Sequence, residues 1–126
     1  MYPDDLGWTR DERALVAYLR SEEGGGHSVG PGGPTEQGRR FDATLDGIPV
    51  EFKTPQADAD SATMRNRAAE SARSGGQARM LIFDLRRSAM PEIEARRGLQ
   101  RIRGAYSKYF DRVRAVGGAF DIYEEF

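Results

Sequence analysis

The pair Asp46-Gly47 sits between two runs in which apolar and polar residues alternate, and it constrains this chain more than any other feature. Asp-Gly supplies the positive φ angles of a two-residue hairpin turn, and period-two alternation on both sides marks half-buried strands. If Leu45 pairs with Ile48, then Ala43 faces Val50 and Phe41 faces Phe52. One face of the hairpin then carries Phe41, Ala43, Leu45, Ile48, Val50 and Phe52, and the other Arg40, Asp42, Thr44, Pro49, Glu51 and Lys53. The register is strongly specified, because a slip of one residue would turn every charge toward the core.

The rest of the chain builds around this hairpin. Residues 8–21 read as a helix with Thr9 as N-cap and the apolar stripe Trp8, Leu15, Val16 and Leu19. Residues 24–38 are rich in glycine and proline and read as a loop. It contains His27, the only histidine, and a lone loop histidine is ordinarily exposed. After Pro55 a polar loop leads to a helix over residues 61–74, capped by Asp60 or Ser61 and ended by Gly75-Gly76. Residues 79–85 (RMLIFDL) are almost continuously apolar, as expected of a central strand covered on both faces. Strand, helix and strand in succession imply a crossover and parallel pairing with the Glu51 strand. A further helix follows over residues 91–103, with Gly104 behind it, and then strands over 112–116 and 119–123 joined by Gly117-Gly118. The reading is a single α/β domain over residues 1–126, with residues 1–7 as a flexible start and a mixed central sheet flanked by helices.

Composition adds limits. The chain has no cysteine, which excludes disulfides and thiolate metal sites, and no apolar run long enough to span a membrane. Net charge is −1, against a general nucleic-acid coat, yet residues 86–114 hold nine basic residues against three acidic ones. That stretch suits either phosphate contacts or a solvated helix face. Tyr106, Tyr109 and Phe110 could stack on bases, but core packing is their commoner use.

The polar face of the hairpin carries the chemistry. In the expected register Asp42 lies across from Glu51, with Cβ atoms about 4.5–5.5 Å apart. Two like charges there are destabilising unless a cation lies between them, and Mg²⁺ or another hard divalent cation suits two carboxylates. Lys53 projects from the same face as Glu51, roughly 7 Å along the strand. Two metal-binding carboxylates beside an ammonium are parts that phosphodiester cleavage requires. Glu12 falls on the apolar stripe of the first helix, where an acid needs a partner, so it either joins the site or caps its own helix. The competing reading is an amphipathic hairpin whose charges face water.

The order helix–hairpin–helix–strand, with Asp42 on one strand and Glu51-Phe52-Lys53 on the next, resembles the PD-(D/E)xK nuclease superfamily. Within it, FDATLDGIPVEFKT, MLIFDLR and the arginine-rich helix with IRG resemble the C-terminal toxin domains of contact-dependent growth inhibition and polymorphic toxin proteins. The resemblance spans about residues 11–123 and is specific in the hairpin block, with Phe41 where the superfamily name has proline. It implies a restriction-endonuclease-like core and a Mg²⁺-dependent nuclease, with tRNA as substrate in several members. Asp42 and Glu51 match its metal ligands, Lys53 its catalytic lysine and Glu12, less closely, its helix acid. It further implies a domain of a larger secreted or cell-surface effector acting in the target-cell cytoplasm, and a cognate immunity protein. The residues expected to hold RNA phosphates are Arg39, Arg40, Arg96, Arg97, Arg101 and Arg103, so that inhibitor is expected to be acidic. A DNA endonuclease of the same fold and a non-catalytic nucleic-acid-binding module are the alternatives, and no membrane partner is expected.

Overall fold

Asp46 and Gly47 take φ angles of 51° and 86°, and this turn folds the chain back on itself between two strands. In the computed structural model, residues 7–34, 40–73 and 78–126 are described. In chain order they form α1 (Arg10–Arg20), β1 (Val29–Pro34), β2 (Arg40–Leu45), β3 (Ile48–Lys53), α2 (Ser61–Arg73), β4 (Met80–Asp84), α3 (Glu92–Tyr106), β5 (Arg112–Val116) and β6 (Asp121–Glu125). Among the described residues the strands make one six-stranded sheet in sequence order. β2 and β3 pair antiparallel with Leu45 opposite Ile48 and Ala43 opposite Val50, the register set by the alternation. β3 pairs parallel with β4, and β4 with β5, while β6 returns antiparallel. The sheet is therefore mixed, as expected of a chain that places helices before and after its central strand.

Each face of the sheet has its own core. On one, Leu15, Val16 and Leu19 of α1 meet Ala43, Val50, Phe52 and Ile82. On the other, Met64 and Ala68 of α2 and Leu99 and Ile102 of α3 meet Leu81, Phe83 and Val113. Every residue of β4 is buried, which accounts for its unbroken apolar sequence. Gly98 sets how closely the two helices of the second face approach, since a Cβ there would lie 2.3 Å from Met64 Sδ.

Five features differ from the sequence reading. Residues 29–34, taken as loop, are the edge strand β1, paired antiparallel with β2 from Val29↔Leu45 to Pro34↔Arg40. Proline is tolerated at a sheet edge, and Gly32 permits the close approach: a Cβ there would lie 2.1 Å from Phe41 O. Helix α3 passes through Gly104 to Tyr106, because that glycine faces open space and the buried Ile102 and half-buried Tyr106 hold the last turn down. Pro91 is its N-cap rather than its first residue. β6 begins two residues late because Gly117 N–H donates to Phe120 O at 2.8 Å, which keeps residues 117–120 in the turn. Lastly, Ile48 at the hairpin tip is 58 % exposed and leaves the expected apolar face.

Candidate active site

The polar face of the hairpin does not simply face water. Glu51 and Lys53 alternate with Phe52, and their parallel neighbours on β4 are Leu81 and Phe83, residues of the core beneath α2 and α3. The two charged side chains consequently lie at the margin of that core and are 7 % and 9 % exposed. Lys53 Nζ is 2.9 Å from Glu51 Oε1. The second carboxylate oxygen, Oε2, accepts from Ser71 Oγ on α2 at 2.6 Å. A buried charge needs a partner and satisfied hydrogen bonds, and this arrangement provides both. The expectation that Glu51 and Lys53 stand clear of the core is thereby corrected: β3 is covered on both faces once α2 crosses over it.

The register pairs of β2 and β3 end at Ala43 and Val50, and the next step is made differently. Instead of a backbone carbonyl, the Asp42 side chain accepts from Phe52 N–H through Oδ2 at 2.8 Å. The Asp42 carbonyl accepts instead from Trp8 Nε1, also at 2.8 Å. Trp8 thus ties the start of α1 to β2 and fixes the peptide that carries the aspartate. Burial pushes the Asp42 carboxyl up to about 6, and the negative charges of Glu12 and Glu51 add to the rise. The Phe52 N–H and the Lys53 ammonium oppose it without cancelling it.

Glu12 satisfies both sequence readings in part. It completes a capping box, accepting from Thr9 N–H through Oε1 at 2.8 Å while Thr9 Oγ accepts from Glu12 N–H at 3.2 Å. Its charge also acts on Asp42. The structure therefore gathers Asp42, Glu51 and Lys53, with Glu12 within electrostatic reach. Among the described residues no group of three or more His, Cys, Asp or Glu side chains forms a ready-made metal cage. The donor set nevertheless suits Mg²⁺, which takes one or two carboxylates and keeps waters or phosphate oxygens for the rest. Burial is the main cause of the raised Asp42 carboxyl, and the smaller part that Glu12 and Glu51 add is what a divalent cation would relieve.

The expected phosphate contacts divide. Arg39 lies outside the described residues. Arg40 is exposed at the start of β2, and Arg101 is exposed on α3. The other α3 arginines pair with acids: Arg96 with Glu92 at 2.8 Å, Arg97 with Glu94 at 3.3 Å and Arg103 with Glu124 at 3.7 Å. Tyr106 and Tyr109 stand 6.4 Å apart at 52°, and Phe110 is buried in the core, so packing claims that cluster.

Two further residues escaped the sequence reading. Ser71 belongs to the buried face of α2 with Met64, Ala68 and Ala72, and a serine on an otherwise apolar stripe was the available signal. His27 is not a free loop side chain. Its Nδ1 is 2.7 Å from Asp46 Oδ2 and its Nε2 lies 3.2 Å from Arg114 Nη1. An arginine can only donate, so Nε2 accepts and the proton facing Asp46 sits on Nδ1.

Comparison with known proteins follows the same outline. No curated protein matches the chain significantly. Among solved structures, the CdiA-CT/CdiI toxin and immunity complex from Burkholderia pseudomallei is similar, with TM-score 0.65, 15 % sequence identity and coverage of 100 % of this chain and 95 % of that one. That likeness shows a shared fold. The model of the contact-dependent growth inhibition CdiA C-terminal domain matches residues 39–122, a span that includes the hairpin, the central strand and α3. Two thirds of the sequence fit that description, and the chain belongs to the contact-dependent growth inhibition CdiA C-terminal domain family.

Proposed function

We propose that this chain is a metal-dependent ribonuclease, the toxin domain of a larger secreted effector, and that it cleaves tRNA in the cytoplasm of the target cell. The observation that carries the reading is the buried Glu51–Lys53 pair beside an aspartate whose carboxyl is raised to about 6. Burying two charged groups beside a half-buried third at a strand margin costs stability, and such perturbed clusters concentrate where chemistry is done. The PD-(D/E)xK assignment belongs to this proposal: Asp42 and Glu51-Phe52-Lys53 occupy adjacent strands on one hairpin, as that pattern requires.

Asp42 and Glu51 are the residues that would hold Mg²⁺, which supplies a polarised phosphoryl group and an acidified water. Lys53 places an ammonium beside Glu51, where it stabilises charge developing on the phosphate oxygens. Ser71 holds Glu51 in place through the second oxygen. Glu12 keeps its helix capped and adds negative charge that raises the affinity of the Asp42 carboxylate for a cation. Arg40 and Arg101 are exposed and can meet the RNA backbone, with the paired arginines of α3 as weaker contributors. A cell that makes such an enzyme needs an inhibitor. The similarity to a toxin and immunity complex supports a cognate immunity protein, and the exposed arginines favour an acidic one.

The test is to incubate the chain with total cellular RNA and with plasmid DNA, each with Mg²⁺ or with excess chelator. The proposal expects Mg²⁺-dependent cuts at few positions in tRNA. Cleavage in chelator removes the metal from the account, and cleavage of DNA alone removes RNA.

A further inference from the structure

β3 and β4 run parallel and end side by side, with Lys53 opposite Phe83. Ligands of open α/β sheets commonly bind outside the carboxyl ends of such strands. Here that region is shaped by three segments: Thr54-Pro55-Gln56 leaving β3, Arg86-Arg87 leaving β4 and the first turn of α1. One cleft of about 310 Å³ is lined by Asp11, Thr54, Gln56 and Arg87. A second, of about 610 Å³, is lined by Thr9, Arg10, Asp11 and Arg87. The two share Asp11 and Arg87, so they form one groove bridged by the ion pair between those residues.

The bridge is a weak closure. The Arg87 and Asp11 side chains are 66 % and 44 % exposed, and a pair so accessible contributes little to stability. Arg86 differs from its neighbour: it is held by Asp84 through both oxygens at 2.8 Å and is not available. Arg87 therefore offers a planar fork whose present partner a doubly liganding phosphate can displace. Arg10 lines the same groove and adds a second cation to it.

We propose that this groove is the track on which the substrate's phosphate backbone lies, with Arg87 binding a phosphate close to the scissile one and Asp11 acting as the competitor it leaves. The inference rests on the nuclease reading and adds a binding residue outside the hairpin. It also sets the near-site contact at the ends of β3 and β4, apart from the arginines of α3.

The experiment is fluorescence anisotropy with labelled unfractionated tRNA, in chelator to prevent cleavage, across a series of salt concentrations. Arg87→Ala is expected to weaken binding about fivefold and to lower the salt slope by about one. Asp11→Asn is expected to tighten binding about twofold, because it removes the competing charge. Arg79→Ala, on an arginine that pairs with Asp111 and lines neither cleft, should change affinity less than about twofold. Unchanged affinity in Arg87→Ala, or weakened binding in Asp11→Asn, overturns the groove. The same series with duplex DNA separates the two readings. If DNA binds better than tRNA but the variants keep their order, the RNA assignment fails and the phosphate track stands. If the wild-type chain binds neither, the track fails.

Discussion

Asp42 accepts from the Phe52 N–H at 2.8 Å, a side chain standing where a paired strand would offer a carbonyl. The contact holds the carboxylate against β3, beside Glu51, in surroundings that disfavour its charge. The Asp42 carboxyl is raised from 3.8 to about 6. A carboxyl with a raised folded value contributes stability that is present below the unfolded value and lost as pH rises through the folded one. In chelator, Asp42→Asn should therefore stabilise the fold above pH 6, by about 1 kcal/mol after allowance for its partial exposure, or a few degrees in Tm. The gain should vanish below about pH 4. Added Mg²⁺ should raise the Tm of the wild-type chain more than that of the variant. Thermal melts at pH 4, 6 and 8 check this, and a variant less stable at every pH would falsify it.

Glu12 raises the Asp42 carboxyl through its charge, so removing that charge lets Asp42 ionise at lower pH. Glutamine serves at the third position of a capping box, so Glu12→Gln should leave stability within about 0.5 kcal/mol. The acidic limb of the cleavage profile should move to lower pH. Glu12→Ala should cost about 1 kcal/mol by loss of the cap. Profiles that superimpose for Glu12→Gln and wild type would confine Glu12 to capping.

Glu51 and Lys53 are buried partners, so truncating either one breaks a buried ion pair. Glu51→Gln and Lys53→Met alone should each lose about 3 kcal/mol, whereas the two combined should lie within about 1 kcal/mol of wild type. All of these variants should be inactive. Urea unfolding measured beside cleavage separates the two effects, and additive losses in the double variant would show that the pair is not coupled.

Arg114 gives the converse case. It is 9 % exposed and donates to both oxygens of Asp121, to Gly24 O and to His27. Arg114→Ala leaves Asp121 with the Tyr18 hydroxyl and unties the turn before β1 from β5 and β6, at a cost of about 2 kcal/mol. Lysine cannot reproduce the fork and should recover less than half of that loss. Cleavage per folded molecule at low temperature should be unchanged, because the network lies outside the site.

What the sequence disclosed and concealed follows from the range of the forces involved. The hairpin register was legible because Asp46-Gly47 and the alternation around it are local and agree with each other. The parallel pairing of β3 and β4 followed from the chain order and the apolar run 80–84. β1 was concealed because proline and glycine oppose a strand locally, and the β2 neighbour that makes one is absent from the segment itself. The burial of Glu51 and Lys53 was concealed for a similar reason: it depends on where α2 lands, and Ser71 becomes a partner only then. His27 reaches a partner 87 residues away, which no local pattern encodes.

The central claim is that the hairpin carboxylates and lysine perform metal-dependent RNA cleavage. Its most direct measurement is single-turnover cleavage of 5′-labelled tRNA by the wild-type chain and by Glu51→Gln. Both are shown folded by circular dichroism, and each is assayed with Mg²⁺ and with excess chelator. The account predicts discrete cuts by the wild-type chain with Mg²⁺, none in chelator, and a rate at least about a hundredfold lower for the variant. Equal cleavage by Glu51→Gln, or cleavage by the wild-type chain in chelator, would contradict it.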